Sequence, residues 1–183
     1  MPLYAVMPPY ISQIEKLGAC DSALFWLRKH RHPSLEAAWA ACPRGDWMLW
    51  LIAEIVGPPD DPARVPLVLA ACDCVELTLP LVPAHEQRPR QALDTVRAWA
   101  RGEATPAELS DAREQVDEAA SSVYLSNPPA FVSMRAIAAI TCLPISSAPY
   151  AFVVPYGATN PNTFAAGADL VRTHYPVPPV LPE

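Results

Sequence analysis

Lysine and glycine are the scarce residues of this 183-residue chain: two Lys and six Gly stand against 11 Arg and 23 Pro. Six glycines leave little material for loops that cradle phosphate, and no P-loop, G-x-G-x-x-G, G-x-S-x-G or H-E-x-x-H occurs. Positive charge is short as well. Thirteen basic against 19 acidic side chains give a net charge of −6, and phosphate affinity comes mostly from clustered Lys and Arg, so no nucleic-acid partner is expected. Residues 1–10 have no basic n-region and are interrupted by proline, which argues against a leader. The five cysteines, an odd number at no framework spacing, read as reduced, buried thiols of a cytosolic protein.

No uninterrupted membrane span is evident either. Residues 136–156 form a 21-residue uncharged run, but Pro144, Pro149 and Pro155 lie inside it and break a helix into short pieces. The apolar run 65–84 carries Asp73 and Glu76 near its middle, where a bilayer penalises them. What is present is 51% apolar residues and 17% charged ones, a globular composition long enough to bury a core without disulfides.

Proline and cap residues punctuate a succession of short helices. Helices are expected at 21–31, at 35–41 behind Ser34, and at 47–56 between Gly45-Asp46 and Gly57-Pro58-Pro59. The third is apolar from Trp47 to Ala53 and is the predicted centre of the fold. A further element spans about 62–79. Ala92, Leu93, Val96, Trp99 and Ala100 then make an apolar stripe at helical spacing behind Pro89. Thr105-Pro106-Ala107-Glu108 reads as a capping box opening a helix to about 122. Asn127-Pro128 and Asn160-Pro161 mark two more starts, and 150–156 is the one possible strand. The expected fold is all-α: a single-domain bundle of seven to nine short helices with proline-rich connections. It comprises an amphipathic body (1–120), a charge-poor helical region (121–175) and an extended proline-rich tail (176–183). Only Arg135, Arg172, Asp169 and Glu183 are charged beyond residue 120.

Few residues invite a chemical reading. Cys72-x-Cys74 places two thiols about 200° apart on a helix, facing away from each other, which suits packing better than a metal. His30 and His32 sit beside Arg28 and Lys29 at a helix exit, where cations complement the negative helix end. His85 and His174 each stand alone. No metal or cofactor is expected. Asp46 is positioned as an N-cap, or else lines a polar site with Arg44 and Trp47. Arg90, Asp94, Arg97 and Arg101 read as an ion-pair ladder on a solvated helix face, or as a strip that grips an acidic partner. Glu86, Arg88 and Arg90 surround a first-turn proline, where the helix dipole favours anions over cations. The two arginines therefore call for a salt bridge with Glu86 or a distant carboxylate, serving either as a clamp between helices or as a binding site. An enzyme would have to be assembled from Asp46, His85, Glu86 and Arg88, and none of these forms a recognisable catalytic motif.

Several segments, taken in order, resemble a known family. Ala41-Cys42-Pro43-Arg44-Gly45-Asp46-Trp47-Met48-Leu49-Trp50-Leu51 is followed by Leu67-Val68-Leu69-Ala70-Ala71-Cys72. Then come Glu86-Gln87-Arg88-Pro89-Arg90-Gln91-Ala92, Trp99-Ala100-Arg101-Gly102 and Ala168-Asp169-Leu170-Val171-Arg172-Thr173-His174-Tyr175-Pro176. Together they resemble the immunity proteins of bacterial polymorphic-toxin systems, from about residue 35 onward. The stretch 121–160 departs from that family in its prolines and its uncharged run. The resemblance implies a mostly helical, non-catalytic cytoplasmic protein that binds a cognate toxin and blocks it sterically. Arg44, Asp46, Glu86, Arg88 and Arg90 are its candidate partner-binding or structural polar residues. The alternative is a helical adaptor that forms a homo-oligomer through the charge-poor C-terminal third.

Overall fold

A computed structural model describes residues 7–59, 61–142, 144 and 161–182. Among these residues it shows nine α-helices, two 3-10 turns and no strand. In chain order the helices are α1 (Pro9–Lys16), α2 (Asp21–His30), α3 (Leu35–Ala41), α4 (Gly45–Ile55) and α5 (Val65–Glu76). They continue as α6 (Arg88–Ala100), α7 (Pro106–Val123), α8 (Pro128–Ile140) and α9 (Pro161–His174). The 3-10 turns, Pro62–Arg64 and Leu79–Leu81, flank α5, so the element expected at about 62–79 is three pieces. The all-α expectation holds. The possible strand at 150–156 lies outside the described residues, and no described helix is long and apolar enough to cross a membrane.

The helix starts follow from local chemistry. Ser34 accepts the Ala37 N–H at 3.2 Å and Asn127 accepts the Ala130 N–H at 3.2 Å, each satisfying a donor the helix cannot. The capping box at Thr105 is complete: Thr105 Oγ1 accepts the Glu108 N–H, and the Glu108 carboxylate accepts the Thr105 N–H at 2.7 Å. Helix α1 was not anticipated. Its apolar residues Tyr10, Ile11 and Ile14 are buried, at a spacing too short to stand out beside the prolines that precede it.

The centre of the fold is α5, a correction to the expectation for 47–56. Leu67, Val68, Ala70, Ala71, Cys72 and Cys74 are fully buried, because α4, α6, α8 and α9 pack around this helix. Helix α4 packs mainly on α5 and α9, and Glu54 is exposed as its place in the sequence suggests. One contiguous apolar cluster runs from Tyr10 on α1 to Val171 on α9. Buried polar groups also tie helices together: Ser133 Oγ on α8 donates to the Thr78 carbonyl at 3.0 Å, linking α8 to the end of α5. The proline-rich tail turns back on α1, where Gln13 Nε2 donates to the Pro182 carbonyl at 3.1 Å and Leu181 packs on the core.

Candidate functional site

Asp46 is not an N-cap. Helix α4 begins one residue earlier, at Gly45, so Asp46 falls in the first turn and its side chain caps no backbone group. Its carboxylate, 1% exposed, is held from two sides by Arg44, with Nε at 2.8 Å and Nη2 at 2.6 Å. The Arg44 guanidinium in turn lies 3.5 Å from the Phe164 ring centroid and 4.8 Å from that of Trp47. The polar pair is therefore packed between α4 and α9. The two helices come that close because Gly45 has no side chain: a Cβ there would stand 2.5 Å from the Gly167 carbonyl carbon. Farther along α9, Arg172 donates to the Trp39 carbonyl from Nε (3.2 Å) and Nη2 (3.1 Å) and also reaches the Cys42 carbonyl. These acceptors lie at the C-terminal end of α3, so a cation on α9 completes the end of another helix. Trp39 Nε1 answers by donating to the Tyr175 carbonyl at 3.0 Å.

Glu86 and Arg88 do form the salt bridge that their positions called for. Glu86 accepts the Arg88 N–H at 3.1 Å and Arg88 Nε at 2.8 Å, and the hydrogen bonds from the Arg88 side chain hold its carboxyl below the usual range. Arg88 also reaches Glu118 on α7 at 3.4 Å. Arg90 is half-buried, and its Nη1 has no hydrogen-bond partner among the described residues. The five candidate residues thus occupy separate places. No hydrogen bond or ion pair among the described residues joins Arg44 and Asp46 to Glu86 and Arg88, or Arg90 to either pair. Asp46 likewise shares none with His85, Glu86 or Arg88.

The ladder on α6 is not formed. Arg97 crosses to α5, where Nη2 meets Asp73 at 3.1 Å and Glu76 at 2.5 Å, and Arg101 pairs with Glu103. The reason is packing: α6 has α5, α7 and α8 as neighbours, so the side opposite its apolar stripe is not simply solvated. His174 does not stand alone either. Its Nε2 lies 2.8 Å from Asp73 Oδ2, and Asp73 therefore bridges α6 and α9. Asp73, Arg64 and Arg172 were not singled out from the sequence. For Arg64 the signal was a lone cation inside an apolar element; it is 2% exposed and donates from Nη1 to the Gly57 carbonyl at 2.9 Å.

The cysteines need one correction. Cys42, Cys72 and Cys74 are buried, but Cys20 is exposed at the entry to α2 and Cys142 is half-buried. Burial pushes the Cys42 thiol up to about 11 and the Cys72 thiol up to about 12, so both are protonated and unreactive at neutral pH. Cys74 Sγ faces α9 and donates to the Gly167 carbonyl at 3.5 Å. His30 and His32 stack on each other with ring centroids 6.0 Å apart, and His30 Nδ1 lies 2.9 Å from the Trp26 carbonyl oxygen. Among the described residues no group of three or more His, Cys, Asp or Glu side chains is arranged to hold a metal ion.

The geometry defines an all-α protein whose buried polar residues clamp helix to helix. Residues 61–143, just under half of the chain, match the family model described as Imm-5 like putative immunity protein. The matched stretch covers α5 to α8, and so the central helix and the Glu86–Arg88 bridge. No curated protein and no solved structure matches the chain.

Proposed function

We propose that this chain is an immunity protein that binds a cognate bacterial toxin and blocks it sterically, without turnover and without a cofactor. The match of residues 61–143 to the immunity family carries this reading. The net charge of −6 supports it physically, since an acidic binder suits a basic toxin such as a nuclease and opposite charge accelerates encounter. On this reading the chain acts as one domain in the cytoplasm. The Arg88 and Arg90 neighbourhood and the charge-poor stretch 121–160, part of which lies outside the described residues, contribute to the contact. Arg44 and Asp46 serve as a structural clamp. The test is co-expression with each candidate toxin domain found encoded beside this gene. Growth restored by this chain, and not by a frameshifted copy, is the expected result; unrelieved toxicity from every neighbouring toxin domain would count against immunity.

A further inference from the structure

Helices α6 and α7 are joined by a short turn and leave a groove of about 560 Å³ between them. Small residues are part of its lining, Ala92 and Ala98 on α6 and Ala112 on α7, so side chains do not fill the space between the two helices. Its polar lining is net acidic. Asp94, Glu103, Glu108 and Asp111 line it against Arg88 and Arg101, and both arginines are already engaged. Arg88 is held by Glu86 and Glu118, and Arg101 by Glu103. The lining holds four carboxylates against two guanidiniums, a net charge of −2 out of the −6 on the whole chain. Asp94 and Asp111 are exposed on opposite walls and have no ion pair or hydrogen bond among the described residues. Unneutralised carboxylates on both rims of a partly alanine-lined trough fit long cationic side chains, whose methylene stems can lie along the alanines while their charges reach the walls.

Resting on the immunity reading above, we propose that the α6–α7 groove is the docking site for a lysine- and arginine-rich segment of the toxin. Charge complementarity selects a cationic protein segment here, and an unpaired acidic rim repels nucleic acid.

Two measurements on the full chain test this. The first titrates a lysine–alanine helical peptide into isotope-labelled protein. Amide shifts are expected to concentrate on α6 and α7, to weaken with added salt, and to shrink in the Asp94→Lys/Asp111→Lys variant. The control is Asp21→Lys/Glu54→Lys, which makes the same change in net charge at exposed positions on α2 and α4. The second compares affinity for the toxin. The groove variant should bind about tenfold or more weakly, while the control stays within about threefold. Both variants are checked for native helix content by circular dichroism. Shifts spread over the whole surface, or equal losses in the two variants, would overturn the proposal. If wild-type protein binds the toxin and the groove variant binds it within about threefold of wild type, the groove assignment falls and immunity stands. If wild-type protein binds no toxin, the immunity reading falls, and the peptide titration still decides whether the groove takes a cationic segment.

Discussion

Gly45→Ala separates a local from a tertiary account of α4, because the two predict opposite signs. Judged by helix propensity alone, alanine replaces glycine in a helix with a gain of up to about 1 kcal/mol. The structure predicts a loss. The new Cβ would stand 2.5 Å from the Gly167 carbonyl carbon, 2.7 Å from the Ala168 nitrogen and 2.9 Å from the Gly167 oxygen. All three are backbone atoms of α9, so no flexible side chain can swing aside, and the two helices must separate. Overpacking of this kind costs about 1–3 kcal/mol. Separation also loosens the Arg44 stack on Phe164, so a net loss of about 2 kcal/mol is expected after the propensity gain. For a chain of this length that lowers the melting temperature by about 4–8 °C. Urea denaturation followed by circular dichroism and tryptophan fluorescence measures it. A variant as stable as wild type, or more so, would refute the close approach of α4 and α9.

The Arg44–Asp46 pair should respond asymmetrically. Arg44→Met leaves a buried carboxylate unpaired and is expected to cost about 3 kcal/mol, whereas Asp46→Asn, which leaves a partly exposed arginine, should cost about 1 kcal/mol; equal costs in denaturant would contradict the burial of Asp46. Thiol labelling of the native protein at pH 8 should modify Cys20 first and Cys142 more slowly, with Cys42, Cys72 and Cys74 reacting only on unfolding. Rapid labelling of three or more thiols would be inconsistent with the core. Alkaline pH should destabilise the fold. The unfolded thiols ionise near about 8.5, while Cys42 and Cys72 stay protonated to about 11 and about 12. The unfolded chain thus binds fewer protons in that window and stability falls as pH rises through it; a Cys42→Ala/Cys72→Ala variant should show a flatter profile.

Helix punctuation was the legible part of this chain. Ser34, Thr105 and Asn127 each cap as their side chains predict, because a cap depends on residues only three positions away. What the sequence hid depends on which helices meet. Arg97 looked solvated until α5 was seen to supply Asp73 and Glu76, 24 and 21 residues away. Arg172 finds the end of α3 across 130 residues or more, and no local pattern announces that. Asp46 was placed just outside α4 because a glycine reads as helix punctuation; Gly45 is instead the first residue of the helix, and the α9 backbone beside it leaves no room for a side chain. The α6–α7 groove was hidden in the same way. Asp94 and Asp111 are ordinary exposed acids on their own helices and become two walls only when α6 and α7 pack side by side.

The central claim, a stoichiometric binder rather than a catalyst, is tested most directly by titrating purified protein into a fixed amount of the cognate toxin and reading residual toxin activity. The account predicts a linear fall that reaches its floor at one equivalent, with a 1:1 complex in light scattering and intact toxin recovered after denaturation. Inactivation complete at a small fraction of an equivalent, or a toxin covalently altered on recovery, would contradict it.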